Sequence, residues 1–309
     1  MEREFWVFMY PDGYYNVPRP LTRKYASEGY FVRSLMESQY LTFDPDEAHL
    51  FFIPIFGTQM KAGNTYEDLS TNVETFVHKL IHRYPYWNRT LGADHVFVTC
   101  YDVDVEATER VPLLVKTRVV CSPSYAAGYI PHKDVSLPQL MFPFFLPTDR
   151  NNDTKNRTTL ALWHGTINSE LRAKLANMWD NDSELEIISN PIKYTRRSNQ
   201  MKLYTTKFCI CARDANDSTP CIVDSIHYGC VPVIISGYYD LPFHGILDCS
   251  TFSFSLKESD VGLLKAVLGS VSDADYKAMH KSILEIQKRF LWHPIPIKYD
   301  ALHMVMYEL

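Results

Sequence analysis

The sequence predicts an α/β chain of two parallel-sheet domains, and three observations carry that prediction. Short, uniformly apolar segments alternate with longer stretches whose apolar residues recur every three or four positions. The alternation runs twice, on either side of a proline-punctuated, polar segment near residue 150. The chain has 309 residues, and single cores stop growing near roughly 250–300 residues, so the expected division is 1–150 and 151–309.

In the first half the strand candidates are Glu4–Tyr10, Ala48–Phe56, His95–Cys100 and Thr117–Cys121. Each is too short and too continuously apolar for a hairpin with one wet face, and each reads as a parallel strand buried on both faces. Between them Tyr25–Ser38 and Tyr66–Tyr84 read as helices; in the second, Leu69, Val73, Phe76, Val77 and Leu80 share one face. From Lys133 to Thr148 the pattern breaks at Pro138, Pro143 and Pro147, and 149–157 is polar, which is the composition of a linker. The second series runs strand Thr159–His164, helix Ser169–Trp179, strand Leu185–Ile188, helix near Tyr194–Tyr204, strand Phe208–Ala212, helix Thr219–Tyr228 and strand Val231–Ile235. Helical stretches at Val261–Val271 and Asp273–Phe290 precede Tyr299–Glu308.

Composition excludes several function classes. Lys+Arg 31 against Asp+Glu 36 gives a net charge of −5, and no basic block is longer than Arg196-Arg197, so the electrostatic footprint of a nucleic-acid binder is missing. Glycine numbers 12, where average usage would give roughly 20. No GxGxxG or GxxxxGK[ST] occurs, which removes glycine-rich phosphate loops and the nicotinamide dehydrogenases built on them. No apolar run is long enough to span a bilayer, and no signal-peptide pattern opens the sequence. Sequons at Asn88, Asn152, Asn156, Asn181 and Asn216 nevertheless exceed the roughly two that chance would supply, pointing to a secretory history. The seven cysteines match no zinc spacing. They read as small buried apolar residues, with one disulfide, such as Cys100 to Cys121, open to them in an oxidising lumen.

Longer words then appear in a fixed order. They include Asp44-Pro45-Asp46-Glu47-Ala48-His49-Leu50-Phe51-Phe52-Ile53-Pro54, Tyr84-Pro85-Tyr86-Trp87-Asn88-Arg89-Thr90 with Gly92-Ala93-Asp94-His95, and Ile130-Pro131-His132-Lys133-Asp134-Val135-Ser136-Leu137-Pro138. Gly229-Cys230-Val231-Pro232-Val233-Ile234-Ile235, Leu241-Pro242-Phe243, Phe290-Leu291-Trp292-His293, Lys298-Tyr299-Asp300 and His303-Met304 follow. Over nearly the whole chain this resembles the exostosin-like glycosyltransferases, particularly their plant cell-wall members. The resemblance implies the GT-B fold: two Rossmann-like domains facing across a cleft, the first on the acceptor side and the second binding a nucleotide sugar. It implies inverting transfer from a donor such as a UDP-sugar to a polysaccharide or glycan, with no metal and no further cofactor. It also implies residence in the Golgi lumen behind an N-terminal membrane anchor that this sequence does not contain, and oligomers among family members.

Ligands of open α/β sheets lie beyond the carboxyl ends of the strands, which selects the candidates. Gly165 ends a strand and precedes the helix Ser169–Trp179, whose N–H groups and dipole suit a diphosphate. Arg172, near where the family often carries an arginine, is the candidate phosphate clamp. Ser218-Thr219-Pro220 is a helix start with a capping hydroxyl and proline in the first turn, and Asp224 stands where relatives place the acid that holds the ribose hydroxyls. Cys221 stands where they carry arginine; Arg213 is the candidate substitute. For the base, Asp102 matches the aspartate of the family's His-Asp-x-Gly, so Asp102-Val103-Asp104 is not read as a metal site, and Asp134 is the rival. Tyr86, Trp87 and His132 are the acceptor-side candidates, the aromatic pair because rings pack on pyranose C–H faces, while Trp6, Phe51, Phe52 and Phe97 read as core. A second expectation, motivated by Cys221, is a non-catalytic member that binds glycans or partners an enzyme.

Overall fold

The computed structural model describes residues 5–11, 21–60, 66–100, 102–121, 125, 128–144, 153–189, 196–212, 220–236 and 239–309. The chain forms two compact units, 1–137 together with 292–309, and 138–291. Among the described residues no helix is long and apolar enough to cross a membrane.

The first unit is built on β1 (Val7–Met9), β2 (Leu41–Thr42), β3 (Leu50–Phe52), β4 (His95–Val98), β5 (Arg118–Cys121) and β6 (Val135–Ser136), in the order β2-β1-β3-β4-β5-β6. Every pairing is parallel, with Phe8 beside Phe51 and Phe51 beside His95. Its helices are α1 (Ala26–Met36), α2 (Gly57–Met60), α3 (Tyr66–Arg83) and α4 (Asp102–Glu109). The apolar stripe of α3 packs as its spacing predicts: Leu69, Val73, Val77 and Leu80 are buried in one cluster with Phe51, Phe97 and Trp87. Pro85 stops that helix because its ring disfavours helical backbone at the residue before it.

The second unit holds β7 (Thr159–His164), α5 (Glu170–Trp179), β8 (Leu185–Ile188), α6 (Arg196–Thr205), β9 (Thr206–Ala212), α7 (Pro220–His227), β10 (Val231–Ile235), β11 (Phe254–Leu256), α8 (Leu264–Gly269) and α9 (Asp273–Ile286). Its parallel sheet runs β8-β7-β9-β10-β11. Each sheet therefore begins with the same order, second strand, first, third, fourth, and each reverses direction of winding between its first and third strands. β10 is buried at all five positions, as a central parallel strand should be. Arg157 lies buried beneath this sheet's helices; Nη1 donates to the carbonyls of Leu203 (2.8 Å) and Thr206 (2.7 Å), and Nη2 to that of Tyr228 (2.5 Å).

Two features depart from the sequence reading. The stretch expected to open a linker at Lys133 instead supplies β6, and residues 134–140 are buried; a two-residue strand is too short to leave a periodic signal. The tail, expected to belong to the second half, packs on the first. Trp292 meets Phe31 edge to face (6.3 Å), and Ser34 Oγ donates to the carbonyl of His293 (2.9 Å). Buried Asp300 caps α10 (Ala301–Glu308), accepting from the backbone N–H of His303 (3.2 Å) and of Ile297 (2.9 Å), and Arg118 of β5 reaches the Leu309 carbonyl (2.5 Å).

The cysteines are also corrected. Cys209 pairs with Cys230 and Cys211 with Cys221, with Cα separations of 5.8 and 5.7 Å. Two positions apart on β9, Cys209 and Cys211 lie on the same face of the strand, and each takes its own partner along it. Cys209 and Cys230 join the cluster of Leu162, Leu203 and Tyr204 on the α6 side, while Cys211 reaches α7. Cys100 is disulfide-bonded as well; the side chain of Cys121, its expected partner, lies outside the described residues. Cys249 keeps its thiol.

Candidate functional site

The second sheet reverses its winding between β7 and β9, and the crevice beyond the strand ends at such a switch point is where open parallel sheets hold their ligands. Gly165 follows β7 there. Its N–H donates to the Ile188 carbonyl (3.1 Å), and a side chain at this position would press to 3.1 Å from the buried Trp163 ring, so the backbone stays bare. Ser169, in extended backbone, caps α5 by accepting from the Arg172 N–H (3.4 Å), which is why the helix begins where the serine stands. From the first turn of α5 the Arg172 side chain crosses the switch point: Nη1 donates to Asn168 Oδ1 (2.6 Å) and Nε to the carbonyl of Ala212, the last residue of β9 (3.2 Å). A cationic group is thus fixed at the ends of both central strands, beside a capped helix start.

On the far side of β9, Asp224 lies half-buried one turn into α7, and Cys221 in its first turn is tied to Cys211. Arg213, Ser218 and Thr219 lie outside the described residues. His164, the last residue of β7, was not singled out in the sequence; surrounding atoms hold its imidazole below the usual histidine range, hence neutral near pH 7. A histidine closing an apolar strand immediately before a glycine was the available signal.

The first unit sorts its candidates by edge. Asp102 opens α4 directly after β4, at the edge where the strands end; its side chain lies outside the described residues. The turn that delivers it is held by Glu28, a buried carboxylate of α1 whose Oε1 accepts from the Cys100 N–H (2.7 Å). No periodicity in the sequence marks Glu28.

Asp134, His132, Tyr86 and Trp87 lie at the opposite edge, where strands begin. Asp134 precedes β6, accepts from the N–H groups of Val119 (3.0 Å) and Ile130 (2.9 Å), and pairs with Lys133 (2.7 Å); its carboxylate is occupied in closing that loop. His132 is an exposed turn residue with φ +65°. Trp87 is buried against His95 (ring centroids 4.7 Å) and over Gly92, whose φ of +92° and lack of a side chain the ring requires. Tyr86 stacks on Phe51 at 5.1 Å. The structure therefore does not bring these four to the edge that holds Asp102, because each belongs to a loop leading into a strand rather than out of one.

That same beginning edge carries a hydrogen-bonded chain. Thr90 Oγ1 donates to Asp94 Oδ1 (2.6 Å), His95 Nδ1 lies 2.7 Å from that oxygen, and Tyr10 Oη lies 2.8 Å from His95 Nε2. With Nδ1 protonated toward the carboxylate, Nε2 accepts the phenol proton. Burial holds His95 below its ordinary value and the Tyr10 phenol far above its own, so the imidazole stays neutral, the phenol keeps its proton, and the network serves the core.

A capped helix start and an arginine fixed across a switch point place this chain among α/β proteins built around a ligand crevice. The Exostosin GT47 domain model matches residues 1–271, and the chain belongs to that glycosyltransferase family. It is 28% identical over 323 residues to an Arabidopsis thaliana protein named a probable glycosyltransferase, covering all of this chain and 62% of that one. It is 27% identical to the Arabidopsis probable beta-1,4-xylosyltransferase IRX10, covering 94% of this chain and 76% of the other. It is 24% identical to an Arabidopsis probable glucuronoxylan glucuronosyltransferase, covering 89% and 64%. The chain thus spans about two thirds of the length of such relatives. Among solved structures, Anabaena HepE in complex with UDP is similar at 9% identity and TM-score 0.45, covering 84% of this chain and 77% of that one. The chain itself shows the two parallel-sheet α/β units that the sequence predicts.

Proposed function

We propose that this chain is an inverting glycosyltransferase that moves a sugar from a UDP-sugar to a polysaccharide or glycan acceptor. The observation that carries the reading is Arg172, held by Asn168 and the Ala212 carbonyl at the β7/β9 switch point. In this reading the α5 start and Arg172 hold the diphosphate, Asp224 takes the ribose hydroxyls, and Asp102 is the base. The acceptor oxygen attacks the anomeric carbon, the bond from that carbon to the UDP oxygen breaks, and the acceptor proton passes to Asp102. The charge left on UDP meets Arg172 and the N–H groups of α5. No metal or further cofactor is needed for this sequence of steps. The names of the curated relatives, xylosyl- and glucuronosyltransferases, support a polysaccharide acceptor. Disulfides and exposed sequons at Asn88, Asn156 and Asn181 support an oxidising secretory lumen such as the Golgi.

UDP release and sugar transfer measured against a panel of UDP-sugars test this, with one or more donors expected to turn over. A folded sample that binds no UDP and transfers nothing would overturn it. The second reading, a non-catalytic glycan-binding member, is favoured by one observation: the position where relatives carry arginine is committed to a disulfide here. It predicts donor affinity weaker than about millimolar and no effect of Asp102→Asn on any transfer.

A further inference from the structure

We propose that the Cys211–Cys221 disulfide is a positioning element of the donor site and makes nucleotide-sugar binding dependent on its oxidation. This rests on the reading of the β7/β9 switch point as the donor site. Cys211 is the next-to-last residue of β9, and the carbonyl of the next residue, Ala212, holds Arg172 Nε at 3.2 Å. Cys221 is the second residue of α7, and Asp224 follows three positions later on the same helix. One covalent bond therefore ties the strand end that fixes the proposed phosphate clamp to the helix that carries the proposed ribose acid.

The two disulfides of this unit differ in the property the proposal needs. Cys209 and Cys230 are 2% and 0% exposed, enclosed by Leu162, Leu203 and Tyr204. Cys211 is buried too, but Cys221 is half-buried in the first turn of α7, so a small reductant has one sulfur to attack. A dithiol's thiolate attacks Cys221 Sγ and breaks the bond to Cys211, which leaves as a thiolate and takes a proton. The reagent's second thiol then closes on the mixed disulfide, releasing the Cys221 thiol and the oxidised reagent. Opening the bond does not detach the helix, because Ile222, Val223 and Ile226 remain packed in the core. What it frees is the first turn of α7 relative to the end of β9, and a site that must order itself on binding loses affinity.

The test is UDP binding by calorimetry on the full chain before and after brief exposure to a dithiol. Thiols are mapped by alkylation and mass spectrometry, and the fold is followed by circular dichroism. The expected result is new thiols at Cys211 and Cys221, intact Cys209–Cys230, an unchanged spectrum, and a Kd for UDP raised about tenfold and restored on reoxidation. The double substitution C211A/C221A should reproduce the raised Kd with no reductant present. Opening of the bond with an unchanged Kd, or reduction of Cys209–Cys230 first, overturns the proposal while leaving the donor site standing. Failure of the oxidised protein to bind UDP overturns both.

Discussion

The two sheets share one strand order, and polar side chains serve different ends at the two edges. Thr90–Asp94–His95–Tyr10 and Lys133–Asp134 in the first unit gather where β4 and β6 begin, as Arg157 does where β9 begins in the second. In the second, Arg172, Asn168 and Ser169 gather where strands end. Groups at a strand's beginning are satisfied by the loop that leads into it and are spent on the fold. Groups at a strand's end are held around a crevice, where the same chemistry can be spent on a ligand.

Substitutions that respect this contrast should separate chemistry from stability. The largest effect is expected at Asp102: Asp102→Asn should lower the transfer rate by about 10²–10⁴-fold while leaving UDP affinity in place, checked by paired turnover and calorimetry. Arg172→Ala should weaken UDP binding by about tenfold to a hundredfold, the worth of a charge-assisted hydrogen bond, with little change in melting temperature. Asp94→Ala should do the reverse. It strands the buried His95, costs about 2–3 kcal/mol of stability, and leaves UDP affinity of the folded protein unmoved; a specific loss of donor binding would break the comparison.

The smallest effect distinguishes the units by acid. His280, buried in the second unit, has its pKa lowered from 6.5 to about 4 by burial and by Arg157. The unfolded chain therefore binds a proton first as pH falls, and stability present above pH 6.5 is lost between 6.5 and 4. Glu308 of α10, in the first unit, has its pKa raised from 4.5 to about 7 by burial. Here the folded chain binds the proton first, so that unit gains stability as pH falls from 7 toward 4.5. Hydrogen exchange at pH 7.5 and 5.5 should show protection falling in the second unit, a fall that His280→Gln reduces; in the first unit Glu308→Gln should remove the gain from Glu308 and leave the opposing loss from His95.

Elements set in a long apolar run or stripe were legible, and short edge strands outside such runs were not. The stripe of Leu69, Val73, Val77 and Leu80 and the continuous apolar run of β10 announce themselves by period and length. The edge strands β2, β6 and β11 have two or three residues, below any window in which a period exists. The donor-side candidates Gly165 and Arg172 were legible because a strand end and a capping serine fix their place along the chain. Tyr86, Trp87 and His132, read as acceptor-side residues, and Asp134, read as the rival base, lie where strands begin, because composition cannot say whether a loop enters or leaves a strand. Pairing of Cys209 and Cys211 with different partners needed the β9–β10 register and the position of α7, which are tertiary facts.

The return of residues 292–309 to the first unit has a consequence for synthesis. The second unit, 138–291, is contiguous and can close its sheet as it leaves the ribosome. The first cannot bury Phe31 beneath Trp292, or seat Asp300 and α10, until residues 292–309 have also been made. Of the two units, the one whose synthesis starts earlier closes later.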